Sequence, residues 1–194
     1  DGLLLIGMQM NRASLTLFQQ QSAPIVLVDA YVESDPYDTV VTDNYAGAHA
    51  ATTYLLEQGH RHIALVGSQP QTFPSVMERR AGYRQALTDY GLQPYFWDCP
   101  IWPKAAYEAS IAHLHQPLFP ITAFFCCNDA VALSLMQALQ ERGYQIPHDV
   151  SVIGFDNIDL AQHTTPPLST MLVDKVGMGR LAAQLLINRI EYPA

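Results

Sequence analysis

Residues 126–129 set two thiols, a carboxamide and a carboxylate side by side, as Cys126, Cys127, Asn128 and Asp129, between the apolar run ITAFF and the helix-like AVALSLMQALQERG. Such a set offers a nucleophile, metal ligands or hydrogen-bonding groups. Successive residues of a strand point to opposite faces, so both sulfurs cannot easily serve one ligand. No Cys-x-x-Cys spacing accompanies them, and the third cysteine, Cys99, stands on another element. The thiols are expected to be small apolar fillers where sheet meets helix. Asn128 and Asp129 fall where a strand opens a helix. One can cap that helix while the other, or the same amide, meets a ligand; local sequence leaves both roles open.

Four more residues offer ligand chemistry. Arg79 and Arg80 are neighbours on a predicted helix and diverge by ~100°, so at most one of them points into a cleft while the other is solvated or paired, and local sequence alone favours a surface arginine. A guanidinium presents five donors in a rigid fork, suited to vicinal hydroxyls or a carboxylate. Asp156, in GFDN at the end of VSVIGF, is an acceptor-only carboxylate suited to a donor-rich ligand such as a sugar, or else a turn-forming aspartate. Trp102 can stack on a sugar ring or fill a core. The histidines form no set: His113 and His115 lie on different faces of a helix, and His60 and His62 flank a turn. No metal site, P-loop, G-x-S-x-G elbow or complete G-x-G-x-x-G is found, so no catalytic residue, metal or cofactor is expected, and the protein is not expected to be an enzyme.

The elements that must position these residues alternate short apolar runs with helix-period segments, the pattern of an α/β fold with parallel sheets flanked by helices. Strands are predicted at 2–7, 24–28, 39–42, 62–67, 94–98, 122–126, 150–155 and 168–173, and helices at 44–58, 77–90, 104–115, 129–142 and 175–191. Asn44 and Asp174 stand at N-cap positions, and Gly59, Gly91 and Gly143 where helices end. On the last helix Met178, Ala182, Leu186 and Ile190 align at i, i+4, with Leu181 and Leu185 beside them, predicting one core face. In an open parallel sheet ligands bind beyond the carboxyl ends of the strands, where Gly67, Asp98, Asn128 and Asp156 begin the loops.

At 194 residues and 49% hydrophobic, the chain has material for one large domain or two small lobes. A net charge of -8 and a pI near 5.1 argue against extended phosphate contacts by this chain alone. No apolar run approaches the ~20 residues of a membrane helix, and no secretory signal opens the chain, so it reads as cytoplasmic or as a processed piece with no membrane partner. Three cysteines, an odd number, point to reduced thiols.

The order of the pieces says more than any one of them. VTDNYAGAHAATTYLLEQGHRHIALVGS (41–68), ERRAGYRQAL (78–87), ITAFFCCNDAVALSLMQALQERGYQIPHDVSVIGFDNID (121–159) and PPLSTMLVDKVGMGRLAAQLLINRI (166–190) together resemble the effector-binding core of the LacI/GalR family of bacterial transcriptional regulators. The resemblance implies a two-lobe, periplasmic-binding-protein-like fold, each lobe a parallel sheet flanked by helices. Residues 1–60 and 174–194 would form a partial N-terminal lobe and 61–173 the C-terminal lobe. It also implies that Arg79, rather than Arg80, joins Asn128 and Asp156 in hydrogen-bonding an effector, with Trp102 near the place of a ligand-facing ring and Phe73 as a weaker candidate. Val173 occupies a place where many members carry glutamine.

Family members begin with a helix-turn-helix headpiece, a hinge and further strand-helix units ahead of the position matching Asp1. The chain is therefore expected to be a fragment with a truncated first lobe and an incomplete effector site. The expected function is effector binding and dimerisation in a cytoplasmic DNA-binding repressor or activator: a small ligand, a sugar or sugar derivative, binds between lobes and controls operator binding through the headpiece. Helix 129–142 is apolar on more than one face through Val131, Ala132, Leu135, Met136 and Leu139, which predicts cover from a homodimer partner. The alternative is a transport-type sugar-binding protein of the same fold, which a signal peptide upstream would reveal.

Overall fold

The structure is a computed structural model that describes residues 2–7, 23–31, 37–115 and 120–192. It divides into two compact units, one of Asp1–Thr42 with Asp174–Ala194 and one of Asp43–Val173. In the first, β1 (Leu3–Ile6), β2 (Ile25–Val28) and β3 (Asp38–Val40) form a parallel sheet in that order. The helix of this unit, at Lys175–Glu191, packs Met178, Ala182, Leu185 and Leu186 on Val26, Val28 and Val40. Leu181 and Ile190, predicted to share that face, are instead 52% and 44% exposed. The narrow sheet meets a narrower stripe of the helix than the i, i+4 line alone suggested.

The second unit opens with α1 (Asn44–Glu57) and continues through β4 (Ile63–Val66), α2 (Pro74–Asp89), β5 (Tyr95–Trp97), α3 (Pro103–His113), β6 (Ala123–Cys126), α4 (Asp129–Glu141), β7 (Ser151–Asp156), a 3-10 turn (Asp159–His163) and β8 (Ser169–Leu172); the helix at 175–191 is α5. Its five-stranded sheet is parallel throughout, in the order β5-β4-β6-β7-β8. Each strand alternates its faces at period two. Ala64, Val66, Phe124, Cys126 and Val152 look to a core shared with α3 and α4, while Ile63, Leu65, Ala123, Phe125, Ile153 and Phe155 look to one shared with α1 and α2. With helices on both faces, the strands become continuous apolar runs, as parallel sheets require.

The boundary differs from the expected one near residue 60, because α1 packs along α2 and contributes Ala48, Ala51, Leu55 and Leu56 to the second unit's core. Gly82 makes the approach possible: a Cβ there would collide with the Tyr45 carbonyl of α1. Two helix starts also depart from expectation. Asp43, not Asn44, caps α1, accepting the Ala46 amide at 2.9 Å. The second helix begins at Pro74 rather than 77, since a proline at the first helical position lacks only an amide that would have had no helical partner.

The predicted need for outside cover on α4 is met within the chain. Val131, Ala132, Leu135, Met136 and Leu139 are all 4% exposed or less, packed on the sheet and on α3. Among the described residues no helix is long and apolar enough to cross a membrane.

Candidate functional site

The chain reverses its direction of travel across the second sheet at β4. It adds β5 on one side, then returns to place β6 on the other. The crevice beyond the carboxyl ends of β4 and β6 is thus a topological switch point, where open α/β sheets take their ligands. Gly67 leaves β4 with φ of 84°, and a Cβ there would lie 2.6 Å from the Cys127 sulfur. Only glycine suits both the backbone conformation and the close approach.

Arg79, in the second turn of α2, reaches this point with its side chain 9% exposed. Its Nε donates to Asn44 Oδ1 at 2.8 Å and its Nη1 to the Cys127 carbonyl; Nη2 lies 3.3 Å from Asp156 Oδ1. The guanidinium also covers the Phe155 ring, 3.9 Å from its centroid. A buried cation is tolerated only with such partners. Asp156 remains 32% exposed in its side chain, so the pair has one buried and one accessible member.

Arg80 faces elsewhere, as helical neighbours must. Its Nη1 donates to the Ser68 carbonyl and hydroxyl at 2.6 and 2.8 Å and to Asp98 Oδ1, and it stacks 3.6 Å from the Phe96 centroid. It braces the connections leaving β4 and β5 rather than meeting Arg79's partners.

Asn128 caps α4: its Oδ1 accepts the Val131 amide at 2.7 Å. Its Nδ2 points toward the Ile101 carbonyl at 3.4 Å, a long contact that ties the end of β6 to the loop bearing Trp102. Capping uses the oxygen and leaves the amide nitrogen weakly engaged. Trp102, which precedes α3, is 61% exposed, and its ring meets the Phe73 ring edge-on at 6.3 Å and 89°. Phe73 opens the helix that carries Arg79, so both rings stand beside the same sheet end.

The Asp156 turn is strained and held. Asp156 and Asn157 have φ of 116° and 49°, regions costly to residues with a Cβ. The wholly buried Asp129 carboxylate accepts the Ile158 amide at 2.8 Å and the Thr170 hydroxyl, and that hydroxyl in turn takes the Asn157 amide at 3.3 Å. Gly154 gives Asp129 its room, since a Cβ there would strike Asp129 Oδ1.

Behind this rim the thiols are inert. Cys126 and Cys127 are fully buried and Cys99 is 3% exposed, and burial pushes all three above the usual thiol range. Cys127 donates its S–H to the Gly67 carbonyl at 2.8 Å. No group of three or more His, Cys, Asp or Glu side chains placed to hold a metal occurs among the described residues.

Sequence reasoning missed Asn44, Asp129 as a tie for the Asp156 turn, and the Arg80, Ser68 and Asp98 brace. Asn44 and Arg79 are separated by 35 positions and joined only by helix packing, so no local pattern could announce the contact.

Residues 52–194 match the periplasmic binding protein-like domain family. The HTH-type transcriptional repressor PurR of Aliivibrio fischeri strain MJ11 is 34% identical over 200 residues, covering 98% of this chain and 58% of the relative. The PurR of Histophilus somni strain 129Pt is 33% identical over 195 residues, again 98% and 58%. Among solved structures, a LacI family transcriptional regulator from Enterococcus faecium with bound ribose superposes with a TM-score of 0.87 at 28% identity, covering 98% of this chain and 72% of its own. A complex of the transcriptional regulator CelR with cellobiose gives 0.85 at 29%, covering 98% and 59%.

Parallel sheets flanked by helices, with polar side chains gathered at one switch point, define a periplasmic-binding-protein-like domain. Within that class the chain belongs to the LacI/GalR family, as its effector-binding core. It spans somewhat over half the length of the curated relatives it matches.

Proposed function

We propose that this chain is the ligand-sensing part of a DNA-binding transcriptional repressor or activator, and that its effector is a sugar or sugar derivative. The observation that carries the reading is the Arg79–Asp156 pair at the switch point, one member buried and preorganised, the other accessible. A guanidinium fork and an acceptor-only carboxylate are complementary to a polyol, which both donates and accepts hydrogen bonds. The Asn128 amide adds a donor, and Trp102 with Phe73 supplies an apolar wall against which the C–H face of a sugar ring can rest. The ribose and cellobiose held by the structural relatives favour the same ligand class.

Control of DNA follows from linkage. An effector changes operator affinity only by as much as its own affinity differs between the regulator's two states. Operator contact itself belongs to a headpiece, consistent with the acidic charge of this chain. A cytoplasmic homodimer completes the proposal on the family resemblance alone, since α4 is covered within the chain.

The test is a thermal-shift screen of the full-length protein against sugars and nucleosides, followed by calorimetry on any hit. A sugar whose binding is weakened about tenfold or more in Arg79→Ala and Asp156→Ala supports the site. A bound ligand indifferent to both substitutions overturns it. Operator affinity that does not change with saturating ligand overturns the regulatory role.

A further inference from the structure

Asn44 is a polar side chain with no exposed surface at the first residue of α1, a helix that Asp43 already caps. A carboxamide buried there is costly unless both its ends are used, and both are: Oδ1 takes the Arg79 Nε–H at 2.8 Å and Nδ2 donates to Glu78 Oε2 at 3.2 Å. Glu78 and Arg79 are adjacent in α2 and of opposite charge. The amide stands between them, presenting its oxygen to the cation and its nitrogen to the anion, which a carboxylate or a hydrocarbon of the same shape cannot do. Three faces of the guanidinium are thereby fixed, by Asn44 at Nε, by the Cys127 carbonyl at Nη1 and by the Phe155 ring beneath. Its Nη2 side meets Asp156, the accessible carboxylate.

We propose that Asn44 is a positioning residue for ligand recognition: it fixes the plane and reach of the Arg79 guanidinium without being placed to touch the ligand. This rests on the reading of Arg79 as an effector contact. The position of Asn44 gives the inference further reach. It stands two residues beyond Thr42, where the chain leaves the first compact unit, so the orientation of the recognition arginine is set by the first turn after that crossing. An asparagine placed only to start a helix would not have its side chain committed to an arginine 35 residues away.

The test uses the full-length protein with Asn44→Leu, Asn44→Ser and an aspartate variant, Asn44→Asp combined with Glu78→Gln so that no second carboxylate faces the first, read by two independent measurements. The first is solvent exchange of the Arg79 Nε–H resonance, assigned by its loss in Arg79→Lys. Leucine has no acceptor and serine is too short to reach, so both should speed exchange by about tenfold or more, while aspartate, facing a neutral glutamine at position 78 instead of a carboxylate, keeps the acceptor and should retain protection. The second is calorimetric titration with D-ribose and cellobiose: affinity should fall about tenfold in the leucine and serine variants and stay within about threefold in the aspartate variant. If the leucine variant does not fold, the serine variant carries both readings. Unchanged Arg79 exchange in a folded leucine or serine variant overturns the proposal. So does equal loss of protection in all three, which indicates disrupted packing rather than a lost acceptor. If neither sugar binds the wild-type protein, these sugars are excluded as effectors, and the exchange measurement still decides whether Asn44 positions Arg79.

Discussion

The two ends of the second sheet are built from the same strands and the same covering helices, yet they hold different chemistry. At the carboxyl ends, beyond Val66, Cys126 and Asp156, charge is buried beside the neutral Asn44 and Ser68: Arg79 against the partly exposed Asp156, and Asp129 beneath the turn that carries it. At the amino ends two uncharged side chains, the buried Tyr83 and the half-buried His60, tie the strand starts together. The Tyr83 hydroxyl donates to the Ile63 carbonyl at 2.8 Å and accepts the Tyr95 amide at 2.9 Å, and burial pushes the phenol well above its usual range. His60 bridges the Thr122 and Ser151 hydroxyls at 2.9 and 3.0 Å. One end closes its hydrogen bonds on itself; the other keeps a partly solvated carboxylate and an exposed tryptophan. Charge retained at an opening is useful for recognition, whereas charge at the closed end would have cost stability with no ligand to offset it.

The strongest way to break this contrast is Arg79→Met, which removes the buried cation with little change of volume. It takes the Arg79 donor from the Asn44 oxygen and the Cys127 carbonyl and the Arg79 cation from Asp156. Because Asp156 is partly solvated, a loss of about 2 kcal/mol is expected in chemical denaturation, less than for a fully buried pair. Ligand affinity is expected to fall about a hundredfold. A variant equally stable and equally able to bind would show that the carboxyl-end charges do not serve recognition.

Tyr83→Phe is the matched change at the other end. It leaves the ring's packing against Phe96 and Phe125 and removes only the hydroxyl, so the Ile63 carbonyl loses its Tyr83 donor and the Tyr95 amide its Tyr83 acceptor. The midpoint of unfolding should drop by the equivalent of about 1–2 kcal/mol. Ligand affinity should not move. A change in affinity comparable to that of Arg79→Met would mean that the two ends are energetically coupled and the contrast is only geometric.

The carboxyl end was also the more legible end. All eight predicted strands are present, because strands covered on both faces must be continuous apolar runs, and runs such as IALV and AFFC admit little else. Asn128 and Asp156 stand out at strand ends, whereas Arg79 is singled out over Arg80 only by the family resemblance; the structure places Arg79 and Asp156 3.3 Å apart. What could not be read depends on the approach of distant elements. Asn44 passes locally as a helix cap, and only the packing of α1 on α2 at Gly82 carries it to Arg79. Exposure on α5 was misjudged for a related reason: periodicity gives a stripe's direction, but the width of the opposing sheet decides which of its residues are covered.

The smallest expected effect concerns His60, and it sharpens the description of the amino end as neutral. Burial lowers its pKa below the usual histidine value of 6.5, so the folded protein resists protonation that the unfolded chain accepts. Between pH 6.5 and the lower folded pKa the unfolded state therefore binds more protons, and folding weakens as pH falls through that window. Above 6.5 both states are neutral at this site and its pH dependence vanishes. The imidazole can serve both hydroxyls when neutral, one ring nitrogen donating and the other accepting. His60→Gln cannot titrate, so the decline in melting temperature from pH 7 to pH 5 should be shallower in the variant, while at pH 7.5 the variant should be no more stable than the wild type. Identical slopes would mean that another histidine governs that range, and a steeper slope in the variant would mean that protonated His60 is stabilised by the fold, contrary to a closed neutral end.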